Sequence, residues 1–160
     1  MAKLHECSQM PKFTFSAPSG FCFRRRGIGF LGGDAWLNAE AVFQGLSGTT
    51  EEDIRNRIDH WLGGGVKDKY HHGFPNDPHH DQCYVFKHKS LRFYGFLCNP
   101  RPESDKGFRL CVLTEAVYKH QWETETAILN RAMRLLAERE ARKAIAVAYP
   151  EYGEAKSWKQ

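Results

Sequence analysis

KHKSLRFYGFLC, residues 87–98, then NPRPESDKG, residues 99–107, then FRLCVLTEAVYKHQW, residues 108–122, is the stretch that decides the fold. The two outer runs are dense in aromatic and aliphatic residues, which suit a pleated surface with buried faces. The middle run is made of turn formers, so the three together predict two strands joined by a turn. Leaving the second strand, Tyr118, Lys119, His120 and Trp122 set basic side chains beside aromatic rings. Such a mixture suits a nucleic-acid surface, where cations meet phosphates and rings stack on unpaired bases. The next segment, ETETAILNRAMR at 123–134, has acidic residues in a first turn and then Ile128, Ala132, Leu135 and Leu136 at helical spacing. It predicts a long helix ending near Tyr149 and Pro150.

Upstream, residues 12–16 alternate polar and aromatic side chains and predict a short strand, with residues 21–23 as its hairpin partner. Three arginines follow, Arg24, Arg25 and Arg26, and arginine forks match phosphate oxygens. GIGFLGG at 27–33 lacks the spacing of a dinucleotide or phosphate loop and predicts a flexible connection. Asp34 is placed to cap a helix running to about Leu46. Thr49 or Thr50 is placed to cap a second helix, 51–62, with Ile54, Ile58, Trp61 and Leu62 on one face and Gly63–Gly65 as its stop.

KDKYHHGFPNDPHHDQ, residues 67–82, reads as a polar loop. It holds His71, His72, Asp77, His79, His80 and Asp81 without a recognised ligand spacing, so a metal site there is the weaker reading and no cofactor is expected. Five cysteines, at 7, 22, 83, 98 and 111, form no Cys-x-x-Cys pair. Cys98 and Cys111 on the strands are expected to be small core residues. The net charge of +4 is compatible with RNA, DNA or an acidic partner. No apolar run approaches the roughly 20 residues of a membrane span, and the first residues hold no apolar signal core, so a cytoplasmic protein is expected.

The order of an arginine-bearing strand, a strand ending in Leu-Thr, an aromatic-basic-basic run and a helix resembles the RelE/HigB superfamily of bacterial toxins, in its phage-derived branch. Leu91 and Arg92 match the Tyr-Arg pair of the penultimate strand. Val112, Leu113 and Thr114 match the last strand. Tyr118, Lys119 and His120 match aromatic-Lys-Lys, and Thr124 to Arg131 and Ala132 match the helix entry. His120 stands where the family has a second lysine, and no proline follows Thr124. The match covers roughly residues 83–140.

The resemblance implies an α+β chain: a small RelE-like antiparallel sheet packed with two N-terminal helices and a long C-terminal helix. Residues 1–33 would be an N-terminal hairpin extension, residues 34–148 the helices and sheet, and residues 149–160 a loose tail, all in one domain. It implies the toxin of a type II toxin–antitoxin system, a ribosome-dependent, metal-independent mRNA endonuclease that inhibits translation and is restrained by a cognate antitoxin protein. Arg92, Lys119 and His120 are then the candidate catalytic residues. Lys87, Lys89, Arg109, Tyr118 and Trp122 are the candidate RNA contacts, with Arg92 and Arg109 as phosphate clamps. The competing expectation is a non-enzymatic binding module on the same fold, either gyrase-targeting or a phage or plasmid protein that inhibits a host factor.

Overall fold

A computed structural model describes residues 12–119 and 123–148. Along the chain come β1 (Thr14–Ser16), β2 (Cys22–Phe23), β3 (Arg26–Gly32), α1 (Ala39–Gln44), α2 (Gly48–Leu62), β4 (His71–Gly73), β5 (Cys83–His88), β6 (Leu91–Cys98), β7 (Arg109–Tyr118), α3 (Glu125–Ala137) and α4 (Arg139–Val147). The protein is α+β, as expected, but its sheet is wider than a small antiparallel one and is mixed. The strand order is β1-β3-β7-β6-β5-β4, with β2 also paired to β3. The pair β3–β7 is parallel, with Arg26 opposite Arg109 and Phe30 opposite Leu113. The N-terminal strands therefore belong to the same sheet as the central pair. They do not form a hairpin with each other, since β1 and β2 each pair with β3.

The segment expected to be a flexible connection, 27–33, is instead most of β3, whose residues 27–31 are all buried. Ile28, Phe30 and Leu31 supply its apolar bulk, and glycines let neighbours come close. A Cβ on Gly29 would lie 2.1 Å from the Phe15 ring. Glycine serves packing here rather than a turn.

Helices cover both faces. On one, α1 and α2 bury Phe43, Ile54, Ile58 and Trp61 against Ile28, Phe93 and Leu113. On the other, α3 and α4 bury Ile128, Ala132, Leu135 and Ile145 against Val85, Tyr94, Phe96 and Val112. With both faces covered, strands read as continuous apolar runs rather than as alternation, which is what β6 and β7 show. Cys98 and Cys111 lie in this interior with free thiols.

The helix boundaries shift from their expected places. Asp34 caps no helix: α1 starts only at Ala39. Just before it, the Asn38 amide donates to Ala116 O (3.0 Å) and its carbonyl accepts from Ala116 N–H (2.8 Å). The Asn38 side chain so occupies the flank of β7 beyond the last β3 pairing. Helix α2 begins at Gly48, after Ser47, rather than at Glu51 with a threonine cap, and stops at Gly63 as predicted. The expected long C-terminal helix is two. Glu138 is extended (ψ 120°) between α3 and α4, and its carboxylate accepts from the Glu140 N–H. The break lets α4 turn onto the β1 side of the sheet, where Ala141 and Ile145 pack with Phe13 and Leu31.

One bulge sets the central register. Tyr94 faces Glu115 and Gly95 faces Leu113, leaving Thr114 as the extra residue, its hydroxyl donating to Tyr94 O. The extra residue reverses which face the following side chains take. Glu115 turns under α3, where it is buried and receives two bonds from Arg131, 2.9 Å from Nε and 2.8 Å from Nη2. Beside the bulge, a Cβ on Gly95 would fall 2.0 Å from Val112 O, a backbone atom with no room to yield. Gly95→Ala should therefore destabilise the fold by about 3 kcal/mol, as overpacking does, measured as a lower midpoint in chemical denaturation.

Candidate functional site

The candidate residues fall in two places, set by the antiparallel course of β6 and β7. Lys87, Arg92 and Val117 lie side by side across β5, β6 and β7 on the face of α3. Arg92, Tyr94, Tyr118, Lys119 and Glu125 line one open cleft at this end of the sheet. Lys89 is exposed at the β5–β6 turn, in the left-handed region at φ 55°. The Arg92 guanidinium donates to the carbonyls of Lys89 and Leu91, which hold it over the turn. The Lys119 N–H donates to Ser90 O (2.7 Å), tying the chain after β7 to the same turn. Tyr118 presents half its surface to solvent. His120 and Trp122 lie outside the described residues.

Arg109 is not part of this cleft. It opens β7 and Tyr118 closes it, and at about 3.3 Å per residue the two stand roughly 30 Å apart. Arg109 neighbours Arg26 instead.

Two cations, Arg92 and Lys119, and two carboxylates, Glu123 and Glu125, line the cleft, and Lys87 stands opposite Arg92 on β5. Burial, and then Arg92, hold the Lys87 ammonium below its ordinary value; Lys119 acts the same way, while Asp68 and Glu125 oppose. Two further residues, which the sequence pattern offered only as an apolar strand position and a helix first turn, complete the site. Tyr94 donates to a Glu125 carboxylate oxygen at 2.6 Å. Burial first, and this bond second, push the Tyr94 phenol well above its ordinary range, so it stays protonated. Alternation along β6 puts Tyr94 on the same face as Arg92, the signal that would have found it. Glu125 opens α3, whose N-terminal dipole favours a carboxylate there. Glu123, on the cleft rim, is engaged by Arg131. The cleft thus offers cations for a phosphate, an exposed ring for a base, and one carboxylate held by a phenol.

The histidine-rich segment is no loose loop. It contains β4, which pairs with β5, and His71 is buried there against Phe86. His71 Nε2 lies 2.9 Å from His60 Nδ1, and His71 Nδ1 lies 2.6 Å from the Tyr84 oxygen. A neutral imidazole donates through one nitrogen and accepts through the other, so His71 relays one hydrogen-bond direction between Tyr84 and His60. His80 is buried as well, bridging Asp77 and Asn130 of α3 at 2.6 Å each. Among the described residues, no three His, Cys, Asp or Glu side chains gather to hold a metal ion. No helix of the described residues is long and apolar enough to cross a membrane.

Compared with family models, with curated proteins and with solved structures, the chain matches none.

Burial first, then the nearby His60 and Arg26, hold the His71 imidazole down at about 4. The unfolded chain takes up this proton near 6.5, so the folded state loses stability as pH falls from about 6.5 to about 4, and no further below that. His80 acts in the opposite sense, because its bonds to Asn130 and Asp77 raise its affinity for a proton. The stability His80 adds is complete below about 6.5 and is lost as pH rises through its raised value, so His80→Gln should lower stability yet leave the slope below 6.5 unchanged, whereas His71→Phe should flatten that slope. Denaturation midpoints of wild type, His71→Phe and His80→Gln at pH 7, 5.5 and 4.5 measure both.

Proposed function

We propose that the cleft binds RNA and cleaves it, as the active centre of an mRNA endonuclease toxin that acts on the ribosome and is neutralised by a cognate antitoxin protein. The observation that carries this reading is the meeting of Arg92 of β6 and Lys119, just past the end of β7, on one cleft, with Lys87 opposite Arg92 on β5 and the exposed ring of Tyr118 beside them. The succession of β6, β7 and α3 also supports the resemblance to the RelE/HigB toxins, with β1–β3 as an addition to that core.

Transesterification needs a base, cationic stabilisation and an acid. The 2′-hydroxyl gives its proton to Glu125 and its oxygen attacks the adjacent phosphorus. Lys87, Arg92 and Lys119 balance the charge that builds on the non-bridging oxygens. The bond from phosphorus to the 5′-oxygen then breaks, leaving a 2′,3′-cyclic phosphate and a 5′-hydroxyl. The leaving oxygen takes a proton from an acid, a role for which His120, next to Lys119 in the chain, enters on sequence alone. Tyr118 stacks on a base flanking the scissile bond.

The rival reading is a binding module that blocks a host protein such as gyrase without cutting RNA. One observation favours it: the Arg92 guanidinium already satisfies two backbone carbonyls, as a structural arginine does.

Induced expression in a bacterial host, with growth and mapped 5′ ends of cellular mRNA read together, separates the two. The endonuclease predicts arrest with new mRNA ends. Arg92→Ala and Lys119→Ala should each slow cleavage about 100-fold, the scale of losing one transition-state charge partner, and Glu125→Gln should abolish it while RNA is still bound. Arrest with intact mRNA would establish the rival. Full toxicity in Arg92→Ala and Lys119→Ala would overturn the site.

A further inference from the structure

The end of the sheet opposite the cleft carries a concentration of positive charge that the proposed chemistry does not use. Strands β2 and β3 are joined by a two-residue turn with Arg24 and Arg25 at its tip. Arg24 sits in the left-handed region at φ 55°, and its guanidinium lies over the Phe23 ring, 5.1 Å from the centroid. Phe23 is 47% exposed, one of the few large apolar side chains among the described residues to face solvent. Next to this tip, Arg26 and Arg109 are direct partners in the parallel pairing, and the Arg109 N–H donates to Arg25 O at 2.8 Å.

Like charges set opposite each other on neighbouring strands are destabilising unless something offsets them. For Arg26 the offset is internal. It donates to Trp61 O at the C-terminal end of α2, where the helix dipole is negative, and lies over the Trp61 ring. Burial and the charge of Arg109 still hold its guanidinium below the ordinary value. Arg25 is 3.6 Å from Asp105 in the 99–107 turn, which also carries Glu103 and Lys106. Among the described residues, no carboxylate lies within ion-pair distance of Arg24 or Arg109.

We infer that this end of the sheet is a second RNA-contacting surface, where Arg24 and Arg109 hold backbone phosphates and Phe23 stacks on an unpaired base. Arginine forks match phosphate oxygens, and an exposed ring beside them selects a nucleic acid with splayed bases over a bare polyanion. The inference rests on the proposed function only in choosing RNA among nucleic acids. The roughly 30 Å length of β7 separates this surface from the cleft, so a strand reaching both would span several nucleotides beyond those at the cleavage point.

The test uses a fluorescein-labelled, 12-nucleotide 2′-O-methyl oligoribonucleotide, which the cleft cannot cleave. Its binding to the full chain is followed by anisotropy from 50 to 300 mM salt. Arg24→Ala/Arg109→Ala should weaken binding roughly tenfold and make the slope of log affinity against log salt shallower by about 1.4, the share of two phosphate contacts on a single strand. Phe23→Ala should weaken binding several-fold with the slope unchanged, because stacking releases no counterions. Thermal unfolding of each variant confirms that it is folded, and Arg24→Ala alone, at an exposed turn, gives a variant with little structural risk. An affinity and slope unchanged in both Arg24→Ala and the double variant would overturn the inference. So would equal, arginine-dependent binding of a polyglutamate peptide, which would assign the surface to an acidic protein. The cleavage reading is judged separately, by mRNA ends and Lys119→Ala, so either proposal can fail while the other stands.

Discussion

Strand β7 has no face and no edge left to water along most of its length, and the rest of the molecule is arranged to make that tolerable. A strand buried on both sides must have every backbone N–H and C=O paired within the protein. On one flank β6 supplies the partners, and on the other β3 does so as far as Leu113. Where β3 gives out, the Asn38 side chain imitates a strand and pairs with Ala116. The buried charge within the strand, Glu115, is admissible because Arg131 meets it with two bonds, and Arg131 in turn fixes α3 over the sheet. A buried carboxylate without such a partner would cost several kcal/mol. The position of α3, and with it Glu125 and one wall of the cleft, thus traces back to the charge on β7.

Where the chain speaks locally, it was readable. The β6–turn–β7 unit shows in its apolar runs and in the turn chemistry between them, and Asn99 closes that turn by bonding to residues within it. Helix α2 shows in its periodic apolar face and glycine stop. What was not readable depends on partners far along the chain. Three glycines in β3 look like a loop because glycine is a turn former locally, and only the approach of Phe15 and the pairing with β7 make them strand residues. Residues 138–142, Glu-Arg-Glu-Ala-Arg, are good helix formers, so nothing local announces the break at Glu138; the need for Ile145 to reach the β1 side imposes it. His71 belongs to a polar stretch by composition and to the core by pairing.

The candidate site divides along the same line. Lys87, Arg92, Tyr118 and Lys119 come together because hairpin register follows from turn and strand length, both visible in the sequence. The same logic places Arg109 at the far end, where an expectation built on residue type alone had grouped it with Arg92. Tyr94 follows from alternation along β6, but Glu125 joins the cleft through the packing of a helix on a sheet, which no residue spacing expresses.

The parallel partnership of β3 with β7 also governs how the chain comes into being. Leu113 is made about 80 residues after Phe30, its partner, and at roughly 5–20 residues per second that is several seconds of synthesis. Throughout that interval Ile28, Phe30 and Leu31 have no sheet to join beyond the short strands β1 and β2. The nascent N-terminal segment must keep this apolar strand from pairing with neighbouring chains until β7 emerges. Arg24 and Arg25 immediately before this strand, and Arg26 as its first residue, set like charges at its entry, and charges flanking an apolar strand oppose its pairing with other chains.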